Sequence, residues 1–398
     1  MSATTTLILG GGIGGMSAAN TLRQLLPSEH GITVVDRSPR YYVGAGKTWV
    51  MLGEKTFEQV SRPRSEILAP GIRYLQTVVL GIDLANHTAA TESDILRWDH
   101  LVIALGADFN LKIIPGLEGE AHTFYTPEGA RRLKAVLEHF SSGEIAILIP
   151  KVPFQCPPGP YEAAILLAHS FATRGLADKV RISMHTVEGA PMATAGPEMG
   201  EYIKSELAGR GIAFHPGKKT VRIDAAARRM VFEDGSDAPY DLLIVIPPHE
   251  APKPVRDANL TGDSGWIPVN PHTLEAKSAD AGDVYAIGDV TAVPLPGRFK
   301  KEVPLSLPKA GVFAEAQGRV AAHQIAGKVT GKKPVESFDG RGFCYLELGG
   351  RLAVKAEGSF FDLPHPVMQK RSPDEAQFRE KLEWVARSLD PGRTYPKE

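Results

Sequence analysis

Cysteine is almost missing from this sequence: two of 398 residues, Cys156 and Cys344. Two widely separated thiols do not make a disulfide scaffold. Nor do they make a zinc site, because no further cysteine or histidine stands around them at ligand spacing, and no metal is expected. Two readings stay open on this evidence alone, a pair of inert buried thiols or one redox pair. An excess of charge of one sign is missing too. The formal net charge is −1, which excludes a global nucleic-acid-binding surface, since that needs a strong basic excess. Apolar runs never reach the length of about 18 residues that a membrane-spanning helix requires. The opening "MSATTTLILGGG" passes straight into a strand, without a basic region and a separate apolar region, so no secretory signal is expected. The expected location is the cytoplasm or the periphery of a membrane.

What is plentiful is glycine and proline, 40 and 31 residues, as fits many strand-to-helix turns and shaped loops. The clearest of these is "TTTLILGGGIGGMSAANTLRQLL". A strand over 5–9 meets Gly10, Gly12 and Gly15 in G-x-G-x-x-G spacing, followed by a helix with 3.6-residue apolar periodicity. The first glycine permits a tight turn, the second lets backbone approach a pyrophosphate, and the third lets helix pack close to strand. Gly14 shares this loop, and the helix N-terminus offers free N–H groups to phosphates. The next strand, "GITVVDRS", ends in Asp36, placed to accept hydrogen bonds from a ribose diol, with Arg37 beside it. These residues predict a dinucleotide site. Gly44 and Val78 further along complete the candidates of the first segment.

Two later stretches resemble the remaining signatures of two-dinucleotide-binding-domain flavoproteins: "WDHLVIALGAD", with Ala104 and Gly106, and "GDVYAIGDVTAVP", with Gly288 and Asp289. The resemblance implies FAD at the first site, with Asp289 against its ribityl chain and phosphate. The middle of the chain repeats the alternation: strand 145–149, helix 160–174, strand 179–184 and helix 197–209, then a hairpin in "TVRIDAAARRMVFEDG". A helix over 309–326 aims its N-terminus at the flavin, and two strands and a helix over 374–389 close the chain. The expected fold is α/β, two Rossmann-like dinucleotide-binding domains with a smaller C-terminal region. Its segments are 1–110 (FAD domain, first part), 111–265 (second Rossmann-like domain), 266–330 (FAD domain, second part) and 331–398 (C-terminal region).

In the second unit the turn after the strand reads "KVPFQCPPGPYEAA". Proline has no N–H for a phosphate and stiffens the chain. Three prolines and a thiol make a poor pyrophosphate cradle, so NAD(P)H is not expected there. This stretch, with "HPGKKTVRID", "IPPHEAP", "GDSGWIPVNPHTLE", "YAIGDV" and "LPKAGVFAEAQGRVAA" in order, resembles the sulfide-oxidising flavoproteins. That family includes sulfide:quinone oxidoreductase and the flavoprotein subunit of flavocytochrome c sulfide dehydrogenase, and the resemblance runs over roughly residues 5 to 350.

The resemblance turns the cysteine question toward a redox pair, Cys156 with Cys344. Sulfide would open their disulfide by thiol–disulfide exchange, leaving a persulfide and a thiolate. Cys156 stands just before a helix N-terminus, which is expected to favour its thiolate. Cys344 becomes the flavin-side cysteine that delivers two electrons to FAD. Glu162 is the candidate proton acceptor, with a first-turn acid complementing the helix dipole as its other reading. Lys309, heading its helix, and Ala310 after it would stabilise reduced flavin. The implied acceptor is a quinone, for which Phe343 and Tyr345 are candidate stacking partners, or else a cytochrome c; a flavin-bound redox sensor or electron carrier is the reading from another class. Where many members carry a third cysteine, "HTFYTPEGA" has Phe124 and Tyr125, and no thiol follows "RYY", so the FAD is expected to be noncovalent. The final helix, with Phe378, Leu382, Val385 and Leu389 on one face, reads as packed rather than anchoring. Peripheral membrane association and self-association stay open.

Overall fold

The computed structural model describes residues 4–277 and 283–390. Strand β1 (Thr5–Leu9) leads through the glycine loop into α1 (Ile13–Leu25), then β2 (Gly31–Asp36). A short helix α2 (Lys47–Leu52), β3 (Arg73–Gln76) and β4 (His100–Ile103) follow. Helix α3 (Pro127–His139) starts cleanly because Thr126 accepts a hydrogen bond from the Gly129 N–H and Pro127 sits in the first turn. The second unit is β5 (Gly143–Ile149), α4 (Gly159–Thr173), β6 (Val180–Thr186), α5 (Pro197–Ala208), β7 (Ala213–His215) and β8 (Leu242–Val245). The chain then returns with β9 (Val284–Ala286) and α6 (Gly311–Thr330), and closes with β10 (Arg341–Gly349), β11 (Leu352–Ser359), β12 (Val367–Lys370) and α7 (Glu375–Arg387).

Two parallel sheets result. The first has the order β9-β4-β1-β2-β3 and the second β7-β6-β5-β8. Their strands are buried on both faces, as parallel sheets demand: Leu7, Ile8 and Leu9 are buried in β1, and Ile145 through Ile149 in β5. The sequence of β9 thus joins a sheet built mainly from the first hundred residues. The two crossings between the units lie side by side, where Asp108–Phe109 pairs antiparallel with His249–Glu250. An antiparallel sheet, β10-β11-β12, carries Cys344 in its first strand.

Several expectations are sharpened. The hairpin at 220–232 gains a third strand, Asp237–Pro239, and the C-terminal pair gains β12. These short strands exist through pairing and have too few residues to show alternation. The helix expected over 309–326 begins at Gly311, because Ala310 is extended and caps it. Lys309 therefore precedes the helix, in a bridge to Gln155. Among the described residues no helix is long and apolar enough to cross a membrane.

Candidate functional site

A cavity of about 980 Å³ runs from the glycine loop to both cysteines. Gly10, Gly12, Gly14, Asp36, Arg37, Gly44, Val78, Ala104, Gly106, Gly288, Asp289, Lys309 and Ala310 line it. Gly15 does not. A Cβ there would lie 1.9 Å from the Gly10 carbonyl oxygen, so its role is the close approach of α1 to the loop. Gly10 is itself at φ +104°. A Cβ on Gly12 would meet no protein atom within 4 Å, as suits backbone facing a ligand. Asp36 accepts from the Gly11 and Ser38 N–H groups at 2.8 and 2.9 Å. Arg64, a residue the sequence did not single out, lies 3.3 Å from the same carboxylate and donates to the Gly11 carbonyl at 2.7 Å. At the other end Asp289 accepts from the Gln155 amide at 2.7 Å, while its second oxygen is buried without a partner among the described residues. An open cradle at Gly12, an acid braced at the end of β2 and an orphaned acceptor on Asp289 fit a dinucleotide with a polyol chain. FAD is the cofactor that fits.

The cysteine loop is fastened to this cavity. Cys156 donates its N–H to the Lys309 carbonyl at 2.8 Å and accepts from Gly159 at 2.8 Å. The Gln155 N–H donates to His249 Nε2 at 3.2 Å, and His249 Nδ1 lies 2.6 Å from the Pro247 carbonyl. His249 therefore donates from Nδ1 and accepts at Nε2; it is neutral, and burial pushes it down to about 3. The Tyr125 hydroxyl donates to the Gln155 carbonyl at 2.8 Å. Together these hold Cys156 at φ +57°, a left-handed conformation that costs a non-glycine residue about 1–3 kcal/mol.

The expected activation of Cys156 by the α4 dipole is not what the structure shows. Burial, and then the Glu162 carboxylate, push its thiol up to about 11, against the pull of Lys47 and Lys381. Helix α4 is capped at Pro158, so Cys156 sits beyond the first turn in a low-dielectric wall. Burial likewise pushes Cys344 up to about 12, with the Cys156 charge next in importance. Both thiols are free and both line the cavity.

Glu162 also lines it, and is more than a dipole-matching acid. Its carboxylate takes both oxygens to Lys381 Nζ at 3.0 Å, accepts from Thr48 at 3.2 Å and accepts from the Glu347 N–H at 3.0 Å. Lys381 Nζ is also 2.6 Å from Glu347, which accepts from the Trp49 indole at 2.9 Å. Lys381, in α7, is not among the residues that the sequence singled out. Val385 and Leu389 are buried as expected, but Lys381 is deeper, 2 % exposed. Lys47, also unanticipated, lies in the cavity wall with its ammonium 4.6 Å from the Tyr125 ring. On the face of β10 opposite Cys344, Phe343 and Tyr345 have ring centroids 5.5 Å apart, and Trp384 packs edge-on to Phe343; all three line the cavity.

Lys309 is aimed differently from expectation. Its ammonium donates to the Asp289 and Thr291 carbonyls and lies 3.4 Å from the Trp266 ring centroid. Burial brings it down to about 7. In the second unit the acid after β6, Glu188, accepts from the Tyr161 hydroxyl at 2.6 Å and from Thr186 at 3.1 Å. The carboxylate at the end of β6 is thus already bonded within the protein.

Comparisons with known proteins agree with this architecture. Residues 4–148 match the pyridine nucleotide-disulphide oxidoreductase family, and residues 130–247 match the central part of the sulfide dehydrogenase [flavocytochrome c] flavoprotein chain. The chain is 23 % identical over 370 residues to the mitochondrial sulfide:quinone oxidoreductase of Mus musculus, covering 90 % of this chain and 78 % of that protein. It is 25 % identical over 342 residues to the sulfide-quinone reductase of Aquifex aeolicus, covering 81 % and 76 %. The crystal structure of the sulfide:quinone oxidoreductase from Aquifex aeolicus superposes with a TM-score of 0.84 at 21 % identity, covering 96 % of this chain and 90 % of that one. With its two parallel sheets, its glycine and Gly-Asp loops and a cysteine in each of the two places, the chain is similar to the two-dinucleotide-binding-domain flavoproteins of the sulfide:quinone oxidoreductase and flavocytochrome c sulfide dehydrogenase family.

Proposed function

We propose that this protein is an FAD-dependent oxidoreductase that oxidises sulfide to sulfane sulfur on Cys156 and Cys344 and passes the electrons to a quinone. The single observation that carries the reading is the placement of both of its cysteines on one cavity with the dinucleotide cradle. Gly10, Gly12, Gly14, Asp36 and Asp289 would hold the cofactor, noncovalently, and Lys309 and Ala310 frame its redox end. When bound, FAD supplies the two-electron capacity that joins donor to acceptor.

The chain's own part is sulfur and proton handling. With the two cysteines joined, hydrosulfide attacks one sulfur, the S–S bond breaks, and the products are a persulfide on Cys156 and a thiolate on Cys344. The thiolate holds the electron pair that is passed on. Glu162 takes the proton that hydrogen sulfide gives up. A thiol pushed as high as Cys344 is a strong electron-pair donor once ionised, because burial withholds the water that would stabilise its charge. Net, one sulfide loses two electrons and its protons, and one quinone gains two of each. Phe343, Tyr345 and Trp384 offer an aromatic wall for the acceptor on the other face of β10. A quinone reaching that wall implies peripheral contact with a membrane, while α7 packs inward. We assign the four segments of the chain as expected from the sequence; the paired crossings at 108–109 and 249–250 support the two inner boundaries.

The match of residues 130–247 to the flavocytochrome c chain favours one second reading, a cytochrome c acceptor. Stopped-flow mixing of the oxidised holoprotein with sulfide tests the proposal. Flavin bleaching is expected within the turnover time, with reoxidation by a soluble quinone analogue; reoxidation by cytochrome c alone selects the second reading. Cys344→Ser should retain FAD and lose at least about 100-fold in the bleaching rate, as loss of a covalent-catalysis residue does. An unchanged rate would refute the assignment.

A further inference from the structure

Three buried charges meet beside the cavity, which Glu162 and Lys381 line together with both cysteines. Glu162, Glu347 and Lys381 are 5 %, 3 % and 2 % exposed, and they come from α4, β10 and α7. Among the described residues the sole ammonium in contact with both carboxylates is that of Lys381, at 3.0 Å from Glu162 and 2.6 Å from Glu347. We propose that Lys381 is a positioning residue for the thiol chemistry: its ammonium holds the Glu162 carboxylate ready as proton acceptor beside the cysteines, and Glu347 competes with Glu162 for that one positive charge. The inference deepens the proposed function and rests on it.

Two carboxylates and one ammonium carry a net negative charge, and burying that charge uncompensated is costly. A net negative charge of this kind favours the protonated form of Glu162. Burial raises Glu162 most, the Glu347 charge adds to that, and Lys381 opposes both. The other charges facing Glu162 are known. On α2 and its exit, Thr48 is a neutral donor, Lys47 stands toward Cys156, and Glu54 and Lys55 flank Glu347, with the Lys55 ammonium 4.3 Å from the Trp49 ring. Cys156 and Cys344 both feel the Glu162 charge. Among the charged side chains of the described residues, Lys381 alone bonds Glu162 directly, and it does so from α7, which also carries Trp384 one turn on. The helix that borders the acceptor wall therefore sets the proton affinity of the group on the sulfur side.

The test uses variants that push Glu162 in opposite directions. The rate of flavin bleaching by sulfide is measured against pH for the holoprotein. In Lys381→Met the acid limb should move up by about one pH unit or more, since an opposite charge in contact favours ionisation by about that much. In Glu347→Gln it should move down by about one unit, because the like charge is gone. Lys381→Arg should restore the wild-type limb. A merely structural lysine would lower the rate at every pH or shift both variants alike, and either result overturns the proposal. FAD content and thermal unfolding check that each variant folds; if Lys381→Met does not, a Glu347→Gln limb that fails to move down is sufficient to overturn it. Infrared titration of the protein without sulfide gives an independent readout. The carboxylic-acid carbonyl band should vanish in part in Glu162→Gln and titrate at higher pH in Lys381→Met. If sulfide bleaches no flavin even in the wild type, the sulfide reading fails, and the infrared titration still decides whether Lys381 governs Glu162.

Discussion

Gly12 and Gly15 stand three residues apart and serve different constraints. Gly12 has φ −72° and ψ −176°, which any residue adopts, and a Cβ there meets no protein atom within 4 Å. Gly15 has no room at all, with the Gly10 carbonyl oxygen 1.9 Å from where a Cβ would be. Gly12→Ala should therefore leave the unfolding temperature of the apoprotein unchanged and weaken FAD retention, measured by flavin absorbance after gel filtration. Gly15→Ala should destabilise the apoprotein itself by about 1–3 kcal/mol, the usual cost of overpacking, measured by denaturant unfolding. At this scale the cofactor end was readable, because each residue there answers to a local backbone demand. Lys381 was not. A lysine among Glu380, Leu382 and Glu383 reads as solvated, and it is buried only because two carboxylates from residues 162 and 347 converge on it.

Helices α4 and α6 show what the elements decide. After β5 the turn carries Pro153, Pro157, Pro158 and Pro160, which leaves few N–H groups for a phosphate. The acid that would receive a ribose, Glu188, is held by Tyr161. NADH should therefore not bleach the flavin anaerobically, and Tyr161→Phe, which frees Glu188, should not confer the activity, since the prolines remain. Bleaching of the variant by NADH would show that the tyrosine alone closes the site. On α6 the crossing with α1 depends on small residues: a Cβ on Gly318 would lie 2.3 Å from the Gly14 carbonyl oxygen. Most element boundaries agree with the periodicity to within one or two residues. The end of α6 does not, lying at Thr330 rather than 326; at its start Lys309 is drawn into a bridge with Gln155, a pairing that local sequence cannot express.

Over the whole molecule, the cavity gathers residues from the first hundred, from the cysteine loop, from 288–314 and from the C-terminal sheet and helix. A ligand that touches all of these stabilises the native state against the unfolded one. Free FAD at about 100 times its Kd adds about 2.7 kcal/mol. Calorimetry should accordingly show the apoprotein unfolding several degrees below the holoprotein, in a broader transition as the segments lose their common contact. An FAD-independent transition would mean that the cavity is not where the cofactor binds. The sequence alone determined the α/β alternation, the dinucleotide loop and the unsuitability of the second turn for phosphate, because these follow from glycine and proline backbone chemistry within a few residues. Only the tertiary structure decided the electrostatics of the thiols. Burial raises Cys156 although it stands near a helix start, and a lysine on the last described helix meets the glutamate six residues after that cysteine. Desolvation and charge pairing depend on what surrounds a group in space, and those surroundings come from segments far apart in the chain.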